Sequence, residues 1–124
     1  MLEKLNFIYK KFPDCLVQQI NYKSYLSEES KESIEITLSC YNFEKEGKRE
    51  IINIIFKDLT LIKFIRINNN PSLFLDEIYI KEDEGLITFD FFPIDHFDYL
   101  EENPNSEFII KCKKISYEVL SSDF

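Results

Sequence analysis

Apolar and polar residues alternate strictly from Ile34 to Cys40: Ile34, Ile36, Leu38 and Cys40 hold one parity, and Glu35, Thr37 and Ser39 hold the other. Successive side chains of a strand point to opposite faces, so this stretch predicts a half-buried strand with one wet face. The period of two returns in further windows. Cys15 to Tyr22 reads as an earlier strand with Leu16, Ile20 and Tyr22 on one face. Ile52, Ile54 and Phe56 make an inward row, and Ile51 and Ile55 thicken the other face, which predicts a central strand or one covered by a helix. Leu59 to Ile67 is apolar around Lys63 and Arg66 and reads as a strand, with a short helix as the alternative. Leu73 to Lys81 and Leu86 to Phe92 follow; in the second, Ile87, Phe89 and Phe91 point one way and Thr88 and Asp90 the other. The last strand, Phe108 to Leu120, begins with Phe108, Ile110 and Cys112 on one face, then changes phase to Ile115, Tyr117 and Val119. A slip of that kind predicts a β-bulge near Lys113 and Lys114.

Breaks fall where turn chemistry is dense: SEESKES, EKEGKRE around Gly47, NNNPS and EDEG. Before the strands, Leu2, Leu5, Ile8, Tyr9 and Phe12 recur at helical spacing and Pro13 ends the run. A strand using Leu5, Phe7 and Tyr9 is the alternative. One connection is long: PIDHFDYLEENPNSE, residues 93–107. Connections of that length are uncommon and often functional. Within it Asp95 is placed to cap a short helical turn, with Phe97 and Leu100 anchoring it to the core. The expectation is a single domain over residues 1–124, mainly β with α+β as the neighbouring class. About seven strands form an antiparallel meander that curls into a sandwich or half-barrel, with a short N-terminal helix.

Composition changes this picture little. The 12 Phe and 7 Tyr, with no alanine and no tryptophan, favour strands, but an AT-rich coding sequence gives the same bias. The N-terminus MLEKLNFIYKKF lacks the long apolar region of a signal peptide, and no run reaches the roughly 18 apolar residues a membrane helix needs. Cys15, Cys40 and Cys112 are odd in number and widely spaced, which argues for buried, reduced thiols. A cytoplasmic protein is expected.

Charge changes it more. Residues 76–107 carry 11 acids against one base, Lys81, a net charge of −10; the other residues carry 12 acids and 14 bases. Summed like charge on one face selects cationic partners. Asp76, Glu77, Glu82, Asp83 and Glu84 lie on or beside one hairpin, and Asp90, Asp95, Asp98, Glu101 and Glu102 on the next strand and the long loop. Tyr79, Phe97 and Tyr99 add aromatic anchors. These thirteen residues form the predicted partner-binding surface. The plainer reading is an acidic surface that serves solubility.

Other chemistries fit less well. The acidic run lacks the alternating ligands and sixth-position glycine of a calcium loop. Nothing marks a buried carboxylate pair of the glycosidase kind. The cysteines and His96 lack the close cysteine pairs of a zinc site. His96, between Asp95 and Asp98, has no nucleophile beside it. Lys63, Arg66, Lys111, Lys113 and Lys114 make too modest a basic patch for nucleic acid. The aromatic-rich interior reads as filled rather than hollow. No catalytic residue, cofactor or metal is expected, and neither nucleic acid nor a membrane as partner.

The order of segments carries a resemblance. LVQQINY is followed by the wet-faced strand SIEITLSCYNF, then EIINIIFKDLTLIKFI, a hairpin ending in LITFDFFP, an acidic loop and a final EFIIKCKKISYEVL. Over most of its length this pattern resembles the small immunity proteins of bacterial polymorphic-toxin and contact-dependent growth inhibition systems. The resemblance implies a cytosolic protein that binds and blocks one cognate toxin domain encoded nearby, often a nuclease with a basic active site. The expected function is therefore stoichiometric neutralisation of a cationic toxin rather than catalysis. A small β-barrel carrier of a hydrophobic ligand and an acidic DNA mimic are the alternatives.

Overall fold

Three residues join the two edges of the sheet, and that short link explains its shape. The computed structural model describes residues 1–24, 32–64 and 73–122. Its strands are β1 (Cys15–Lys23), β2 (Ser33–Asn42), β3 (Lys48–Phe64), β4 (Leu73–Leu75), β5 (Tyr79–Asp83), β6 (Leu86–Asp90), β7 (Ile94–Asp95), β8 (Leu100–Glu101) and β9 (Phe108–Ser122). Seven of them form one sheet in the order β4-β1-β2-β3-β9-β6-β5, and β7 and β8 pair separately. All neighbours in the sheet are antiparallel. Laid flat, seven strands about 4.8 Å apart would span roughly 29 Å. The edge strands β4 and β5 are joined through Asp76, Glu77 and Ile78 alone, a link that reaches at most about 14 Å. The sheet must curl, and it forms a half-barrel.

The seven strands divide the chain differently from the sequence pattern. The rows around Ile52 and Leu59 belong to one 17-residue strand, β3. Asp58 adopts a left-handed φ of 53° within it. Conversely, Leu73 to Lys81 splits into β4 and β5, which lie on opposite edges. The central position expected of the Ile52 row is confirmed, with β2 on one side and β9 on the other. Parts of the predicted Leu59–Ile67 strand, the NNNPS turn and SEESKES lie outside the described residues.

Bulges reset the phase at three points. Gln18 is extra in β1, so Cys15 and Val17 are buried ahead of it and Ile20 faces inward after it; Leu16 is not on the inner row. The bulge expected at Lys113 and Lys114 does not fall there, since Lys57 pairs with Lys114 and Leu59 with Cys112 in step; the extra residue is Thr60 of β3, across from Cys112 and Lys111, and its hydroxyl donates to the Lys111 carbonyl at 3.2 Å. Leu120 is the extra residue near the end of β9.

Helix α1 (Leu2–Tyr9) turns Leu2, Leu5, Ile8 and Tyr9 into the core. It stops four residues before Pro13, because Lys10, Phe12 and Asp14 all take left-handed φ values near 50°. That conformation is uncommon for residues with a Cβ. It swings Phe12 back under Tyr9, the rings stacking at 5.4 Å. Phe91 stacks on Phe108 at 3.9 Å and Phe56 meets Phe89 edge-on at 5.0 Å. Each such buried side chain contributes about 1.5–3 kcal/mol. Aromatic rings fill the interior, and a groove of about 500 Å³ at one mouth, lined by Ile20, Tyr22, Leu59, Ile62 and Phe64, is open to solvent.

Candidate functional site

The long connection after β6 folds back over the strand it leaves, and one carboxylate holds it there. Asp90, at the end of β6, is 0% exposed. Its Oδ1 accepts from the Phe92 backbone N–H at 3.0 Å and from the Ser106 hydroxyl, and its Oδ2 accepts from the Asn103 backbone N–H at 2.7 Å. Asn103 returns a bond from its side-chain amide to the Phe92 carbonyl at 3.0 Å. Both ends of the connection are thus gathered on one anion. Asp90 is therefore a structural tether and cannot present charge to a partner, contrary to expectation. It shares its strand with Thr88, also buried. At Asp90 the outward-facing side of β6 is covered by the connection.

Between its tethered ends the connection forms a small hairpin rather than a helical turn. Ile94 pairs with Glu101 and Asp95 with Leu100. Asp95 does cap, but the turn is tight: its carboxylate accepts from the Phe97 N–H at 2.8 Å, and the His96 N–H donates to the Tyr99 carbonyl at 3.0 Å. Phe97 takes φ 77° at the tip and is fully exposed, so it anchors nothing to the core. The His96 ring stacks on Tyr99 at 4.5 Å, and its Nε2 lies 3.3 Å from the Glu101 carboxylate. The stack and the His96–Glu101 contact brace a tip that carries Asp95, Asp98 and Glu101 around two exposed aromatic rings.

The remaining predicted residues fall in other places. Glu102 pairs with Lys111 at 3.1 Å and is half-buried. Glu82, Asp83 and Glu84 are exposed at the β5–β6 turn, where Glu84 and Gly85 both take left-handed φ values. The strands do pair as foreseen, but Tyr79 faces Asp90 at one end of the ladder and Asp83 faces Leu86 at the other. Four steps of about 3.4 Å separate these ends, roughly 14 Å. Tyr79 itself is half-buried. Asp76 and Glu77 are exposed on the link between the sheet edges, where the Asp76 carbonyl accepts from the Asp14 N–H at 2.9 Å. The β5–β6 turn thus lies a ladder's length from Asp90, where the connection leaves the sheet.

A second buried acid escaped the sequence reading. Glu50 is 1% exposed on the inner face of β3. Its carboxylate accepts from the Tyr9 hydroxyl at 2.9 Å, the Asn42 amide at 3.0 Å and the Lys45 ammonium at 3.0 Å. Burial opposes the charge, but these donors outweigh it and hold the carboxyl below its ordinary value. Burial, aided by the bond to Glu50, pushes the Tyr9 phenol upward. The signal was present: Glu50 has the parity of Ile52, Ile54 and Phe56. The three cysteines are buried, and burial raises Cys15 to about 12 and Cys112 to about 11. Leu16 pairs with Ser39, so one rung further Cys15 and Cys40 face each other, a proximity that their spacing in sequence conceals.

Comparison with family models, curated proteins and solved structures finds no match. Among the described residues no helix is long and apolar enough to cross a membrane.

Proposed function

We propose that this protein neutralises a cationic partner, a toxin domain of the basic nuclease kind, by forming a stoichiometric complex in which the β7–β8 hairpin is the centre of contact. One observation carries the proposal: Phe97, fully exposed, stands at the tip of a paired hairpin beside Asp95, Asp98, Tyr99 and Glu101. Binding energy at interfaces concentrates in a few aromatic and charged residues that become desolvated, and rigidity lowers the entropy lost on docking. Carboxylates around an aromatic anchor would steer a basic cleft into register, and like-charged surfaces would be rejected. Glu82, Asp83 and Glu84 would touch the partner only if it extends past the β5–β6 turn; Asp76 and Glu77 lie on the link between the sheet edges. The encounter would take place in the cytoplasm, and the protein would act by occupying the partner's site, not by catalysis.

Co-purification with the protein encoded next to this chain tests the reading. Wild type should retain it as a 1:1 complex whose association slows as salt rises. Phe97→Ala should weaken the complex by roughly tenfold or more, since hot-spot truncations cost about 2 kcal/mol and upward. A complex that forms with unaltered affinity when Phe97, Asp98 and Glu101 are all replaced would remove the hairpin from the interface.

A further inference from the structure

Cys15 and Cys40 are distant in the chain and adjacent in the sheet. Leu16 pairs with Ser39 and Val17 with Leu38, ahead of the bulge at Gln18, so the next rung sets Cys15 directly against Cys40. Residues opposed on an antiparallel ladder carry their side chains on the same face. Both thiols are on the inner face, each 0% exposed. Cα atoms on such a rung stand roughly 4.5–5.5 Å apart, within the span that a disulfide bridges. Cys112 is equally buried but faces no thiol, since Leu59 and Ile87 are its partners on the neighbouring strands.

Two features set the rung apart. The Arg49 guanidinium spans it, donating to the Asp14 carbonyl at 3.3 Å and to the Ser39 carbonyl at 2.9 Å, one residue before each cysteine. Burial raises both thiols, Cys15 to about 12, and this cation opposes the rise at each. The second feature is the strand end, because β1 begins at Cys15. The segment leading into it holds Lys10, Phe12 and Asp14 at left-handed φ values, which costs energy in residues with a Cβ. Main-chain bonds from the Asp14 N–H to the Asp76 carbonyl and from the Ile78 N–H to the Lys11 carbonyl tie that segment to the β4–β5 link. Local opening starts at such strained ends, and it would bring Cys15 to solvent ahead of Cys40.

We infer that Cys15 and Cys40 are a reversible redox pair: hydrogen peroxide reaching the opened strand end converts them to an intramolecular disulfide, and a thiol reductant restores the dithiol. The Cys15 thiolate attacks one peroxide oxygen and the O–O bond breaks. Cys15 becomes a sulfenic acid, and the other oxygen takes up the proton that Cys15 lost and leaves as water. The Cys40 sulfur then attacks the Cys15 sulfur, the S–O bond breaks, and the hydroxyl leaves with the Cys40 proton as a second water. Two thiols are oxidised and one peroxide is reduced. The bond would clamp β1 to β2 beside the segment that closes the half-barrel. No residue of the β7–β8 hairpin takes part, so the inference does not rest on the proposed function.

Thiol counting and peptide mapping on the folded whole chain test this. Under hydrogen peroxide wild type should lose two of its three thiols. The map should join Cys15 to Cys40 and leave Cys112 free, and dithiothreitol should return all three. Cys112→Ser should oxidise as wild type does, and Cys40→Ser should form no intramolecular disulfide. The oxidised protein should unfold at a higher denaturant concentration, because the bond closes a long loop in the unfolded chain. Folded wild type that keeps three thiols while the unfolded chain oxidises would overturn the inference. So would a bond to Cys112, cysteines that gain oxygen in place of the bond, a Cys15–Cys40 bond that forms only in denaturant, or an oxidised form that unfolds earlier than the reduced one.

Discussion

Helix α1 and the β6–β9 connection are both held to the sheet by a buried carboxylate, yet they turn their aromatic residues in opposite directions. Glu50 receives Tyr9 from α1, and the helix buries Leu2, Leu5, Ile8 and Tyr9 beneath it. Asp90 receives Asn103 and Ser106 from the connection, and the hairpin it holds leaves Phe97 and Tyr99 in solvent. The same device thus serves two ends. In one region the tether completes a core. In the other it fixes the base of an element whose tip residue, Phe97, is fully exposed. Burying hydrophobic area is the main favourable term in folding, so a tethered hairpin that leaves Phe97 in solvent supports the proposal that it is a contact surface.

The largest effect should come from the helix side. Tyr9→Ala removes a fully buried ring and one donor to Glu50, and should lower unfolding free energy by about 3–5 kcal/mol, measured by denaturant titration. Asp90→Ala comes next. It strands the Phe92 and Asn103 N–H groups, while the Ser106 hydroxyl can still donate to the Phe108 carbonyl, and should cost about 3 kcal/mol, since buried groups left without partners lose roughly 1–3 kcal/mol each. Its effect should also be local: hydrogen exchange should rise through residues 93–107 while the β2–β3 ladder stays protected. A uniform rise would mean that the connection is part of the core and not a tethered appendage.

A smaller, pH-linked effect sharpens the contrast. The Glu50 carboxyl is held below its ordinary value in the folded protein, so there the unfolded chain binds more protons on acidification. The stabilisation is complete above the ordinary carboxylate value and is lost as pH falls through the lowered folded value. Glu50→Gln should cost about 1–3 kcal/mol at neutral pH and make the acid limb of the stability profile shallower. An unchanged acid limb would show that Glu50 is not the titrating group.

How much of this was legible beforehand follows from what each pattern encodes. The row Ile34, Ile36, Leu38, Cys40 was read correctly because parity alone decides a strand with one dry face. Parity does not encode which strands become neighbours. The split of Leu73 to Lys81 into two edge strands follows from sheet closure, a property of the whole fold. Asp90 was misplaced for a related reason. Its alternation with Phe89 and Phe91 does point it away from the inner core, but the connection beginning one residue later covers that side. Phe97 was given a core role because an apolar residue in a capped loop commonly has one. The hairpin pairing of Asp95 with Leu100 instead carries it outward. The charge asymmetry was plain from the sequence; that Asp90 and the β5–β6 turn fall at opposite ends of one ladder required the structure.

The central claim is that the tethered hairpin is a contact surface and not a structural element, and Phe97→Ala examines it with the smallest expected perturbation to folding. Two quantities should be measured on one preparation: the unfolding free energy, and the affinity for the protein encoded alongside this chain. The account predicts stability within about 0.5 kcal/mol of wild type, as for a surface change away from caps and core, together with binding weakened by roughly tenfold or more. A loss of stability comparable with that of Tyr9→Ala, or binding that does not change, would contradict it.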